Sequence, residues 1–293
     1  MDRRERRHFS RRDFLRAAAA GAGVGLVGFD RLAAAAKLAG PVGKNIPVGV
    51  QLYSVREAAA KDLPAVLQAL AKMGYKGVEF AGYYGWESKP AELRKLLDDN
   101  GLKCCGTHTA LETVTGDALK ATAELNHALG NPYLIVPSLT IEGAEAWKAM
   151  AVKFNDISAK AGALGARVGY HAHQGDFKKL GDTTPWEIFF DNTNKDVIMQ
   201  IDTGNCLQGG GDPVAMLKKY PGRSTTIHIK DFGGPDDSVI GEGKVRWADV
   251  FDVCEGAGGT TWYIVEHETG TRPLESVKGC LEGLRKMGRG FGG

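Results

Sequence analysis

VGYHAH (168–173), VIMQIDTGN (197–205), TTIHIKD (225–231) and WYIVEHE (262–268) follow one pattern: each run is apolar almost to its end and then presents a polar residue. Those residues are His171, Asp202, His228 and Glu266. Each run reads as a buried strand, and the four follow one another along the chain. In a barrel of parallel strands, consecutive strands are neighbours and their carboxyl ends converge on one mouth. A single strand-end His is more often hydrogen-bonded structure, and a single Asp before Gly is usually a turn former. Four such residues at successive strand ends outweigh that reading. A charged group where an apolar strand runs out is costly unless it is paired or metal-bound. Oxygen and imidazole ligands together suit a divalent cation such as Mn²⁺, Mg²⁺, Co²⁺ or Zn²⁺.

Outward from these runs, the punctuation repeats. Further strands are predicted at 48–53, 77–80, 103–107 and 133–136, alternating with segments of helical spacing. Leu63, Val66, Leu67, Leu70 and Met73 recur at three- and four-residue steps and stop at Gly74, a C-cap. Eight strands alternating with eight helices is the signature of parallel βα units. The junction after the first strand, Gln51-Leu52-Tyr53-Ser54-Val55-Arg56-Glu57, holds no glycine-rich phosphate loop, which disfavours a doubly wound sheet. The expected fold is therefore a single α/β domain, a (β/α)8 (TIM) barrel over residues 45–293.

Residues 1–36 read as an address. Ser10-Arg11-Arg12-Asp13-Phe14-Leu15-Arg16 resembles a twin-arginine export motif, and a Gly/Ala-rich apolar stretch and A-x-A sites follow. A first helix of the domain fits poorly, because paired arginines before such a run pack badly against a core. The expectation is a removable signal, the twin-arginine export machinery as a partner, and a periplasmic or extracellular home with no stable membrane span after cleavage. The leader carries eight Lys/Arg against four Asp/Glu. Without it the 37 basic and 35 acidic residues of the chain become 29 and 31, a net charge of −2. No basic surface then argues for nucleic acid. The five cysteines are scattered, odd in number and without metal-type spacing, and read as small buried side chains.

Several stretches together carry a family resemblance: GVQLYSVRE (49–57), GYKGVE (74–79), YHAH (170–173), KYPGR (219–223), HIKD (228–231) and GEG (241–243). Over about 47–268 the chain resembles the sugar phosphate isomerase/epimerase superfamily of xylose-isomerase-like barrels, which includes inosose dehydratase and the ketose 3-epimerases. The resemblance implies a divalent metal held by a Glu/Asp/His/Glu set, onto which Asp202, His228 and Glu266 map. His171 stands at or near the place of the first Glu, and His171 and His173 are both candidates for that ligand. A symmetrical two-carboxylate acid/base pair is thereby broken.

The function expected from these readings is a metal-dependent sugar isomerase or epimerase, or a related lyase, working by proton abstraction and a stabilised enediolate. The lyase alternative is elimination on a 3-keto-glycoside. Glu266 is the expected base or acid/base, with His173 or Lys230 as its partner, and Glu79 and His108 as further mouth residues. A non-catalytic sugar-binding barrel is the rival of another class, since fold alone does not give chemistry. An apurinic endonuclease would want more ligands and a positive groove.

Overall fold

A computed structural model describes residues 45–268 and 271–291; the signal expected over residues 1–36 lies outside them. Strands β1 (Val48–Gln51), β2 (Gly77–Ala81), β3 (Lys103–His108), β4 (Tyr133–Val136), β5 (Arg167–His171), β6 (Ile198–Gln200), β7 (Thr226–Ile229) and β8 (Trp262–Val265) form one parallel sheet. Its order is β6-β5-β4-β3-β2-β1-β8-β7, so the chain winds once around. The remaining seam, between β6 and β7, is drawn together by backbone bonds from Met199 N–H to Arg223 O (2.8 Å) and from His228 N–H to Ile201 O (2.9 Å). Asp202 and His228 form the bridge at its upper end. The expected (β/α)8 barrel is what forms, and two of the candidate ligands sit at the seam.

Outside the strands lie α1 (Arg56–Met73), α2 (Pro90–Asp99), α3 (Ala118–Ala128), α4 (Ala144–Ala163), α5 (Pro185–Asp191), α6 (Thr203–Gln208), α7 (Pro213–Lys219), α8 (Trp247–Glu255) and α9 (Pro273–Lys286). The apolar spacing that foretold α1 buries Leu63, Val66, Leu67 and Leu70, and Gly74 (φ 107°) ends the helix in the left-handed conformation. Each such side chain removed from water contributes about 1.5–3 kcal/mol. Thr203-Gly204-Asn205, turn-like in composition, opens α6, with Asp202 as its N-cap. All five cysteines are buried and unpaired. No helix among the described residues is long and apolar enough to cross a membrane.

Side chains alternate faces along a strand, and this alternation builds the barrel interior in storeys. Tyr133, Ile135 and Ile198, with Trp262 against them, pack low in the lumen, apart from the main core between sheet and helices. Gly77 and Gly169 leave room there: a Cβ would collide with Trp262 at the first and with Ile198 and Ile135 at the second. Two residues further up these same strands come Glu79, Gln200, His171 and, via Ile264, Glu266. On β3 the pattern breaks. A register shift against Val78/Glu79 turns Thr107 outward to Asn126 and swings His108 inward.

Candidate active site

Four side chains meet where the strands end. One ligand-type atom from each of His171, Asp202, His228 and Glu266 lies within 4.8 Å of the other three, and all four residues are buried. His228 Nδ1 is 2.8 Å from Glu266 Oε2 and 3.9 Å from Asp202 Oδ2, and His171 Nε2 is 3.8 Å from the same Glu266 oxygen. Asp202 uses Oδ1 to accept the Asn205 N–H (2.6 Å), while its buried Oδ2 has no hydrogen-bond partner. The helix cap therefore aims the other oxygen into the cluster.

Beneath the cluster lies a second polar storey. Glu79, fully buried, accepts from Gln51 Nε2 (2.8 Å) and Gln200 Nε2 (2.7 Å), and its Oε2 is 2.6 Å from His228 Nε2 and 3.1 Å from His108 Nε2. Gln200 also faces His108 (2.9 Å) and donates to Thr226 (3.0 Å). Glu79, expected at the mouth, is thus fully buried against His228, while His108 lies against both His171 (ring centroids 4.8 Å) and His228 and could join these two in holding a cation. From sequence, Gln51 stood only in the junction after the first strand and Gln200 carried no expectation. The signal was there: a glutamine inside the otherwise apolar runs VGVQ and VIMQ needs a buried partner.

The electrostatics follow from this packing. Burial alone raises the Glu79 carboxyl, but His108 and His228 outweigh it and hold the group well below the usual carboxylate range. Burial likewise lowers His228, yet Glu79 and Glu266 on its two nitrogens push it up to about 10. Glu266 is held well below its ordinary value by His228, Lys230 and His171 against the effect of burial. Asp202, desolvated and only partly offset by Lys230, is raised to about 7. Burial and the neighbouring His228 and His108 keep His171 well below the imidazole range.

Above the cluster the remaining expected residues border a cleft of about 640 Å³. His173 stands at its edge, with its ring edge-on to His171 (centroids 5.0 Å apart), so His171 and not His173 joins the cluster. Lys230 pairs with Glu268 and reaches Asn205 Oδ1 (3.3 Å). Its ammonium is held above the ordinary lysine value: burial works against it, but Asp202, Glu266 and Glu268 prevail. Tyr53 leaves the lumen and lies exposed under Arg56.

The donor set fits a divalent cation. It offers two imidazoles and two carboxylates at close range, and one carboxylate oxygen is buried without a partner. On the far side of His228, Glu79 occupies the place of the carboxylate that usually orients a metal-binding histidine.

Comparison with known proteins agrees with this architecture. An inosose dehydratase from Erwinia tasmaniensis is 24% identical over 69% of this chain and 81% of its own length. A crystal structure of a sugar phosphate isomerase/epimerase from Parabacteroides distasonis is 28% identical, with a TM-score of 0.70 over 82% of this chain and 98% of that one. A D-allulose 3-epimerase from Methylomonas, at 13% identity, shares the fold with a TM-score of 0.60, over 84% of this chain and 99% of its own. The family profile described as xylose isomerase-like TIM barrel matches residues 67–287, and the chain belongs to that family.

Proposed function

We propose that this protein is a lyase of the dehydratase kind that acts on a cyclic keto-sugar, a 3-keto-glycoside among them, with a divalent cation held by His171, Asp202, His228 and Glu266. The observation that carries this reading is the asymmetry of the mouth. Of the cluster's two carboxylates Asp202 also caps a helix, and Glu266 lies 3.8 Å from an imidazole, His171, where the family resemblance implies a second glutamate. Epimerisation needs proton carriers on both faces of the reacting carbon, whereas elimination needs one carrier and a sink for charge. The inosose dehydratase relative supports the same choice.

When bound, the cation acts as a Lewis acid toward a carbonyl and its neighbouring hydroxyl. The chain supplies the rest. His173, partly desolvated and pushed below the usual imidazole range, is neutral at pH 7 and able to take the proton on the carbon next to the carbonyl. The electron pair of that C–H bond moves onto the carbonyl oxygen. Lys230, kept charged by its carboxylate neighbours, faces the negative charge that develops. As the pair returns to form the C=C bond, the C–O bond at the β carbon breaks. His173 gives its proton to the departing oxygen, so that water or an alcohol leaves with no net proton gained or lost. Glu266 orders His228 and, as an ionised ligand-type carboxylate, shares the acid/base role expected of it from sequence.

The test is a screen of the cation-loaded protein against free ketoses, inososes and 3-keto-glycosides in D₂O. The expected result is release of water or an alcohol with an unsaturated ketone as product, formed with loss of the hydrogen next to the carbonyl. Uptake with inverted stereochemistry and no loss of oxygen points instead to an epimerase. Neither elimination nor uptake with any keto-sugar removes the proposal and leaves a binding barrel.

A further inference from the structure

The cleft beside the charged cluster is larger than a single reacting ring requires. At about 640 Å³ it is of the size that holds drug-sized ligands. It is bordered by His173 and Lys230, the neighbours of the cluster, and by Glu268. Most of the remaining border is the segment between β7 and α8, from Asp231 to Ile240. We propose that this outer part is a subsite for a second, uncharged sugar ring, so that the preferred substrate is a glycoside whose oxidised ring reacts at the cluster. The inference rests on the keto-sugar reading above and adds what lies beyond the reacting ring.

Three observations carry it. The first is chemistry. The outer cleft is bordered by Gln174, Gln208, Asp236, Asp237 and Ser238, a set of planar amides, carboxylates and a hydroxyl that match adjacent sugar hydroxyls. Phe232, 38% exposed, offers an apolar face to the C–H side of a pyranose.

The second is charge. Among the described residues no arginine borders the cleft, and the lysine that does, Lys230, is already committed to Glu268 and Asn205. Carboxylates without free cations repel a phosphate or a uronate, so the second ring is neutral.

The third is rigidity. Asp231 anchors the segment by accepting from the backbone N–H groups of Phe232 (2.9 Å), Gly241 (2.8 Å), Gly243 (3.1 Å) and Val245 (3.3 Å) and from Trp247 Nε1 (3.0 Å). His267 Nε2 faces Ser238 O at 3.1 Å, tying the middle of the segment to the end of β8. Asp237 turns the chain at φ 59°, a left-handed conformation that aspartate adopts more readily than most residues. A wall fixed in this way is preorganised to bind.

The experiment compares two substrates on the full, cation-loaded protein: the 3-keto form of a glucose disaccharide and 3-keto methyl glucoside. The wild type should favour the disaccharide in kcat/KM by about tenfold or more, the worth of roughly 1.4 kcal/mol of added contact. Phe232→Ala and the double variant Asp236→Asn/Asp237→Asn should each bring that ratio close to unity. A ratio does not depend on how much of a variant is folded, so a poorly folding variant still reports on the subsite. A ratio near unity in the wild type, or one unchanged in both variants, overturns the subsite. Stronger turnover of a 6-phosphorylated glycoside overturns it too.

If nothing is turned over, the keto-sugar reading fails by itself and the subsite is judged by calorimetry with the unoxidised disaccharide. Binding that is lost in Phe232→Ala upholds the subsite; no binding, or equal binding, removes it.

Discussion

At the residue scale the deciding feature is His228, whose two nitrogens face carboxylates 2.6 and 2.8 Å away. Glu79 holds Nε2, which fixes the proton there and leaves Nδ1 to serve a cation. Glu79→Gln keeps the size and loses the charge, so cation affinity should fall about 10- to 100-fold by titration calorimetry, the usual cost of removing such a partner. Unchanged affinity removes Glu79 from this role.

The same contacts set a pH dependence. His228 is raised from about 6.5 to about 10, so its ion pairs stabilise the cation-free fold fully below about pH 6.5, and that contribution is lost as pH rises through about 10. Asp202 is raised from its ordinary value to about 7; the fold binds its proton more tightly than the open chain does, so ionising it costs stability over the range from about 4 to 7. Glu79 and Glu266, both depressed, titrate below this window. The chelated protein should therefore lose Tm from pH 6 to pH 9, while added Mn²⁺ or Zn²⁺ widens its advantage as pH rises, because cation ligation displaces protons. A chelated protein that gains Tm across that range contradicts these assignments.

At the scale of elements, strand ends and parity were readable and local turns less so. The four runs announced their polar ends because each strand is buried on both faces until the mouth, so any polar residue there stands out. His108 was read at the end of β3, but its inward direction depends on a register shift that no pattern of apolar residues records. Nor did the sequence announce α6, since Thr203-Gly204-Asn205 is turn-like in composition and becomes helical through Asp202 and the bond from Asn205 Nδ2 to Ala172 O (3.0 Å). Asp202 thus has two separable duties, with Oδ1 capping and Oδ2 facing the cluster. Asparagine caps as well as aspartate does. Asp202→Asn should keep stability within about 1 kcal/mol of wild type by urea unfolding and still lose most cation binding, whereas Asp202→Ala should lose both. Equal cation content in Asp202→Asn and wild type shows that the free oxygen is not a ligand. Gly106 tests the tier below: a Cβ there lands on the Glu79 carboxylate. Gly106→Ala should cost about 1–3 kcal/mol by overpacking and weaken cation binding with it.

For the whole molecule, the barrel was legible because alternating strands and helices leave few topologies. The cleft wall was not, because residues 231–245 have little regular structure and gain their shape from one carboxylate, Asp231. Export from the cytoplasm is an expectation from residues 1–36, which lie outside the described residues. The proposed cation site draws on the ends of β5, β6, β7 and β8, with Glu79 and His108 of β2 and β3 packed against it, so a cation held there would be bound by a finished fold and not by an extended chain. Twin-arginine export passes folded proteins, which gives two coupled expectations. Arg11→Lys/Arg12→Lys should hold the protein in the cytoplasm as a folded, cation-binding barrel, read by cell fractionation and metal analysis. Gly169→Val leaves the leader intact but forces a side chain into Ile198, Ile135 and the β6 backbone, so the barrel fails and this variant too should stay inside. A Gly169→Val chain recovered outside the cell would mean that an unfolded chain is exported, and the cation would then have to be acquired after transport.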